Sequence, residues 1–238
     1  MLLFFVRHGD PTYDPDALTP LGHRQAEAIG RRLARYGLDE IYVSSSTRAI
    51  ETSIPTRELL KKDAVILDWT NESHAWAQLS LPTEDGGRTW GFMRPDIRAL
   101  FTSKEVRELG EEWHTHPYLQ DTTIPEGYFR IKNHTREFLA SQGYVWDEEK
   151  GRYKAEKPNE KRIALFAHHG FGMTFLSSVL DVPYPQMCLK FNICHSGLTV
   201  IEFRDENGWV IPQVLTLSND GHLLAENMPA NYNNHLYF

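Results

Sequence analysis

Three short apolar runs in this chain end in residues that can do chemistry. Leu2-Leu3-Phe4-Phe5-Val6 passes directly into Arg7-His8-Gly9, and Ile163-Ala164-Leu165-Phe166-Ala167 passes into His168-His169-Gly170. Ile41-Tyr42-Val43 closes on Ser44-Ser45-Ser46-Thr47-Arg48. An imidazole titrates near neutrality and serves as nucleophile or proton carrier at pH 7. A guanidinium stays charged and grips oxyanions with forked N–H donors. Brought together, Arg7, His8, Arg48 and His169 would form a cradle for a dianion, with phosphate its first candidate occupant. Adjacency to Gly170 selects His169 over His168, which reads as a packing or supporting residue.

These groups meet only if the runs are neighbouring strands, because ligands of open α/β sheets bind beyond the carboxyl ends of the strands. Continuous apolar runs suit strands buried on both faces of a mostly parallel sheet. Thr19 before Pro20 is an N-cap followed by a first-turn proline, and apolar residues then recur at helical spacing until Gly37. A second helix is expected from Thr47 through Leu60 despite Pro55, and Val65-Ile66-Leu67 reads as a third strand. Strands and helices in alternation predict βαβ units around a parallel sheet.

From about residue 71 to 158 the alternation breaks. Pro82, Gly86-Gly87, Pro95 and Pro117 punctuate the segment, and Trp76, Trp90, Phe92, Trp113, Tyr118 and Trp146 crowd it. It reads as an inserted lid, with a helix from Pro125 to Gln142 and a hairpin from Tyr144 to Lys154. After His169-Gly170 a helix should run from Phe171 to Leu180. Leu198–Phe203 and Trp209–Leu217 are expected to form an antiparallel pair joined through Asp205-Glu206-Asn207-Gly208. The expectation is one domain over residues 1–238 with that insertion.

Composition narrows the function classes. With 238 residues, 41% hydrophobic and 24% charged, the chain can bury a real core. Its formal charge of −7 supplies no overall field for nucleic acid or an anionic membrane, so an anionic ligand needs a local cluster. The Leu2–Val6 run is too short for a signal core or a membrane span. Cys188 and Cys194 form no CxxC pair and read as free thiols of a reduced, cytoplasmic protein.

Phe5-Val6-Arg7-His8-Gly9, Leu18-Thr19-Pro20-Leu21-Gly22-His23-Arg24-Gln25-Ala26, Ser44 to Thr52 and Ala167-His168-His169-Gly170 together resemble the histidine phosphatase superfamily, the phosphoglycerate mutase-like proteins. The motifs stand in the family's order and cover the core, with the insertion matched only loosely. The resemblance implies a three-layer α/β/α sandwich, a phosphorylated histidine at His8, and no metal or organic cofactor. It also implies that Arg7, Arg48 and His169 bind the transferring phosphoryl group, where preorganised charge lowers the barrier. The general acid is Glu72, in Asn71-Glu72-Ser73, ahead of Glu126 and then Asp10. One position departs from the family: Asp14 stands where many members carry an Asn that touches the phosphoryl group, and a carboxylate there would repel the substrate.

The function expected is a phosphomonoesterase working through phosphohistidine on a small organic phosphate or a phosphoprotein. A phosphoglycerate mutase-type phosphotransferase is the alternative and would need a second anion site, with Arg88, Arg94 and Arg98 as suppliers. A non-catalytic phospholigand-binding protein is the further alternative. His114 and His116 alternate as strand neighbours would, but no acidic or cysteine partner lies at ligand spacing, so no metal site is expected. His195-Ser196 has two open readings, pocket lining or simple loop. Monomer and homodimer both remain compatible with the sequence.

Overall fold

The computed structural model describes residues 1–232 and 234. The chain opens with β1 (Leu2–Arg7), a small hairpin of β2 (Pro11–Tyr13) and β3 (Asp16–Leu18), helix α1 (Pro20–Tyr36), β4 (Glu40–Ser44), α2 (Thr47–Leu60) and β5 (Val65–Leu67). Next come α3 (Glu72–Leu79), the hairpin β6 (Ser80–Pro82) and β7 (Arg88–Trp90), and short helices α4 (Pro95–Thr102), α5 (Lys104–Leu109) and α6 (Pro117–Gln120). A long helix α7 (Ile124–Ser141) and the hairpin β8 (Tyr144–Asp147) and β9 (Arg152–Ala155) lead back to β10 (Arg162–Ala167) and α8 (His169–Leu180). The chain closes with α9 (Tyr184–Lys190), β11 (Leu198–Glu202), β12 (Trp209–Val210), β13 (Gln213–Asn219) and α10 (Gly221–Leu224).

Six strands form the central sheet in the order β13-β11-β1-β10-β4-β5. The pairs β1–β10, β10–β4 and β4–β5 are parallel, and β11 is antiparallel to β1 and β13. Side-chain alternation assigns the faces. Leu3 and Phe5 of β1 and Ile163, Leu165 and Ala167 of β10 enter one apolar cluster, with Phe171 and Phe175 of α8 and Ile131 and Leu139 of α7. Phe4 and Val6, Ala164 and Phe166 enter the other, with Ile29 and Leu33 of α1 and Ala49 of α2. Both faces are covered, which is why these strands read as unbroken apolar runs. The result is the expected three-layer α/β/α arrangement with a mostly parallel sheet.

Thr19 caps α1 as expected, its side chain accepting from Gly22 N at 3.1 Å, and Gly37 ends the helix at φ 70°. Two glycines are set by contact. A Cβ on Gly9 would lie 2.7 Å from the Gly22 carbonyl oxygen, and one on Gly22 would lie 2.1 Å from that of Asp10. The loop after β1 therefore seats on the first turn of α1 only where neither residue carries a side chain.

The structure adds detail to the sequence reading at three places. The strand anticipated over Trp209–Leu217 is two strands: β12 pairs with β9, while β13 pairs with β11. Pro212, which has no N–H to donate, stands between them and lets the chain change sheets. Helix α7 packs on α8 as part of the layer over the sheet rather than as part of a cap, because its apolar residues line one side. His114 and His116 do not share a strand face: His114 lies in a 3₁₀ segment (Gly110–Thr115) and sets its ring edge-on to Phe129 at 4.7 Å.

Candidate active site

The β1–β10 register brings the site together. Arg7 lies opposite Ala167, so the residues that follow, His8 and His168, leave the sheet side by side. Their ring centroids stand 5.2 Å apart. His8 is fixed at both backbone ends, N–H donating to Ala167 O at 2.9 Å and its carbonyl accepting from Ser196 N at 3.0 Å. Its Nδ1 lies 2.7 Å from Gly9 O. That contact requires the proton on Nδ1 and leaves Nε2 with a free lone pair. Burial, then the neighbouring His168, Arg7 and Arg48, hold the His8 ring well below its usual pKa, so it is neutral at pH 7.

Two arginines flank this ring, held in different ways. Arg7 is buried, donating from Nη1 to Ile193 O and from Nη2 to His195 Nε2, both at 2.6 Å. Burial lowers its pKa to about 10, which leaves it charged at pH 7. His195 turns Nδ1 towards Asp10 Oδ1 at 3.3 Å, so Asp10, His195 and Arg7 form a chain in which the imidazole is neutral, its pKa taken to about 2 by burial and Arg7. Arg48 sits in the first turn of α2 and donates from Nη1 to Asp16 Oδ1 at 2.6 Å, with Tyr13 stacked 5.3 Å from its guanidinium carbon. Asp16 also accepts from Thr47 N at 2.8 Å. Glu51, the simple surface partner for Arg48, instead accepts from Leu18 N at 2.6 Å.

Glu72 opens α3, with Asn71 as its N-cap. Its Oε1 accepts from Phe171 N at 2.9 Å, at the amino end of α8, and its Oε2 faces His168 Nδ1 at 3.4 Å. Burial outweighs these hydrogen bonds and the two arginines and raises its carboxyl to about 7. One nitrogen each from His8 and His168 and one Glu72 oxygen lie within 4.8 Å of one another. A proton donor of near-neutral pKa thus stands beside a free imidazole nitrogen. The rival carboxylates are elsewhere: Glu126 is bonded to Gln78 on the surface, and Asp10 accepts from Thr19 Oγ1 at 2.6 Å.

The structure places His168, rather than His169, beside His8 and Glu72. That ring is fully buried, its Nε2 2.7 Å from Ser44 Oγ and 3.2 Å from Ser46 Oγ. Burial, with Arg48 and Arg7, holds it neutral. His169, the first residue of α8, turns away: its Nε2 meets Asn192 Oδ1 at 2.9 Å and its ring lies 5.9 Å from Phe92, on the cavity wall. Adjacency to glycine was the misleading cue. The usable sequence signal was position, because His168 follows Phe166-Ala167 as His8 follows Val6-Arg7. Asp14 is corrected too, since it is exposed and does not line the cavity, whereas Asp16 does.

The three clustered donors could also gather a cation, but two buried guanidinium groups beside them make the surroundings those of an anion. The cavity above them has a volume of about 810 Å³, and Trp76, Trp90, Phe92 and Met93 supply its apolar wall. Trp90 reaches it by lying over Gly170, where a Cβ would come 2.4 Å from its ring.

A parallel sheet with a basic, histidine-bearing crevice at its strand ends is an arrangement suited to holding an anionic group. Residues 3–82 match the histidine phosphatase superfamily (branch 1) model. No curated protein matches the chain in sequence. Among solved structures, phosphoserine phosphatase from Entamoeba histolytica in complex with 3-phosphoglyceric acid superposes with a TM-score of 0.56 at 17% identity, covering 93% of this chain and 98% of that one. A mycobacterial glucosyl-3-phosphoglycerate phosphatase with inorganic phosphate gives 0.61 at 16% identity, covering 93% and 98%. Residues 3–82 are thus similar in sequence to the histidine phosphatase superfamily, and 93% of the chain follows the fold of these two phosphatases.

Proposed function

We propose that this protein is a phosphomonoester hydrolase that works through a phosphohistidine at His8. The observation carrying this reading is the neutral His8 ring, proton on Nδ1, with Glu72 within 4.8 Å and two arginines alongside. In the first step His8 Nε2 forms a bond to phosphorus as the bond to the leaving oxygen breaks, and the Glu72 carboxyl gives that oxygen its proton. Arg7, Arg48 and His168 face the oxygens where charge is spread. In the second step water attacks the phosphohistidine and gives a proton to the Glu72 carboxylate, releasing phosphate and restoring His8.

The substrate in this reading is a small phosphorylated molecule, and the β6–β7 segment with α3 acts as the lid that contacts its leaving group. Two free, buried thiols, Cys188 and Cys194, support a reducing compartment such as the cytoplasm. The mutase alternative is disfavoured because Arg88, Arg94 and Arg98 do not line the cavity. The binding-protein alternative is disfavoured because a carboxyl of near-neutral pKa accompanies the nucleophile. Rapid-quench labelling with a phosphomonoester, followed by mapping of the acid-labile phosphate, tests the proposal. Phosphate on His8 that decays to inorganic phosphate, and is missing in His8→Ala, is expected; hydrolysis surviving in His8→Ala would overturn it.

A further inference from the structure

Among the described residues, the cavity outside the phosphoryl cradle has no lysine or arginine. Arg7 and Arg48 are its only lysine or arginine side chains among the described residues, and both belong to the cradle. The three arginines nearest in sequence to the apolar wall are engaged elsewhere. Arg88 donates to Ser80 Oγ and O, Arg94 to Asp96 and Tyr118, and Arg98 to Phe92 O. The remaining charged side chains facing the cavity, Asp16 and Glu72, are acidic. A carboxylate or second phosphate on the leaving group would lose water and meet no cation there, only neutral polar side chains such as Asn71, Ser73 and Asn192, which costs binding.

The wall is aromatic as well as uncharged. Trp76 and Trp90 meet edge-to-face at 4.9 Å and 86°, and Trp90 stacks on Phe92 at 5.7 Å and 17°. The first pair forms a corner that offers a flat face and an edge to a third ring, the arrangement ring quadrupoles favour. Trp76 lies one helical turn after Glu72 in α3, so the corner sits on the side from which the acid protonates the leaving oxygen. Met93, 55% exposed, adds adaptable apolar surface at the mouth.

We propose that the leaving group is an uncharged aromatic alcohol, so that the substrate is a small monophosphate ester carrying a planar ring. This deepens the phosphatase reading and rests on it. The test compares esters of primary alcohols, so that leaving-group basicity does not dominate: 2-naphthylmethyl phosphate, cyclohexylmethyl phosphate, glucose 6-phosphate and 3-phosphoglycerate. We expect kcat/KM for the naphthylmethyl ester to exceed that for the cyclohexylmethyl ester by about fivefold, from ring packing, and that for 3-phosphoglycerate by about a hundredfold, from its unpaired carboxylate. Trp76→Leu should bring the first ratio close to one. Met93→Arg, which supplies the missing cation, should shift the second ratio about tenfold towards 3-phosphoglycerate.

Equal or better turnover of 3-phosphoglycerate or glucose 6-phosphate in the unaltered enzyme would overturn the proposal, as would a naphthylmethyl to cyclohexylmethyl ratio near one. Labelling of His8 by each ester separates the two levels of inference. Label on His8 without aromatic preference defeats the substrate class and leaves the phosphatase reading standing, whereas turnover with no label on His8 defeats the phosphatase reading itself.

Discussion

Replacing Glu72 by Gln should make the protein more stable and less active, and the stability gain should depend on pH in a defined direction. Burial raises the Glu72 carboxyl from 4.5 to about 7, although the Phe171 N–H, Arg48 and Arg7 pull it down. At about 1.4 kcal/mol per unit, ionising this group in the folded protein costs about 3 kcal/mol more than ionising it in the unfolded chain. Its side chain keeps only 14% exposure, so solvent screening removes little of that cost. The unfolded chain releases this proton near pH 4.5 and the folded one near 7, so the folded state holds the extra proton between them. Stability therefore falls as pH rises through that window, and the loss is complete above about 7. Glutamine keeps the shape and an acceptor for Phe171 N–H but cannot ionise. Urea unfolding should find the two proteins nearly equal at about pH 4.5 and Glu72→Gln ahead by up to about 3 kcal/mol at about pH 8. Single-turnover phosphorylation of His8 should slow by about 10²- to 10⁴-fold with an alkyl phosphate and far less with an aryl phosphate, whose phenolate leaves unprotonated. A stability difference that does not vary with pH would refute burial of the acid, and equal slowing on both esters would make Glu72 a positioning group.

His168→Ala should slow phosphorylation by about a hundredfold or more, whereas His169→Ala should keep kcat within about tenfold and act mainly on KM; the reverse order in steady-state kinetics would return the cradle role to His169. His195→Ala leaves Arg7 Nη2 without its acceptor, so stability should drop by about 1–3 kcal/mol and inhibition by inorganic phosphate should weaken, with His195→Gln restoring part of both. An unchanged phosphate inhibition constant in His195→Ala would mean that Arg7 is held without it. Gly170→Ala would set a Cβ 2.4 Å from the Trp90 ring and 2.7 Å from Glu72 Oε1, so kcat/KM should fall by about tenfold or more, reflecting displaced groups, while circular dichroism stays native. Unaltered kinetics there would contradict the close packing.

Strong local patterns carried most of the core. The apolar runs of β1 and β10 and the cap and stop of α1 at Thr19 and Gly37 needed only burial and capping arguments, and the structure follows them. What escaped depended on register or on distant partners. His168 and His169 differ by one position, and at the junction of a strand with a helix that shift turns a side chain to a different side of the crevice. Adjacency to Gly170 does not separate them, but position after the strand does, once Arg7 is paired with Ala167. Asp16 gave no sequence signal, because its role comes from Arg48 and Thr47, about thirty positions away. Glu72 was named from the sequence, but its partners, Phe171 N and His168, arrive from the far side of the insertion and show only in the fold. Trp209–Leu217 was read as one strand because its apolar residues continue on both sides of Pro212, and only the competing edge of β9 shows that the chain changes partners there.

In the proposed reaction, the charges around the crevice let one carboxyl serve both chemical steps. His8, His168 and His195 are neutral through burial, so they add no charge to the crevice. Arg7 has only neutral acceptors, whereas Arg48 already faces Asp16. The pair thus retains roughly one uncompensated positive charge, enough to draw a dianion without leaving two bare guanidinium groups in a folded interior. A phosphoryl dianion cancels the field by which Arg7 and Arg48 lower the Glu72 pKa and adds a repulsion that raises it further. Substrate binding therefore holds the proton on Glu72 when the leaving oxygen needs it. Once the alcohol has departed with that proton and one phosphoryl charge has been taken up in the bond to His8, the field again favours the carboxylate, the form that can accept a proton from water.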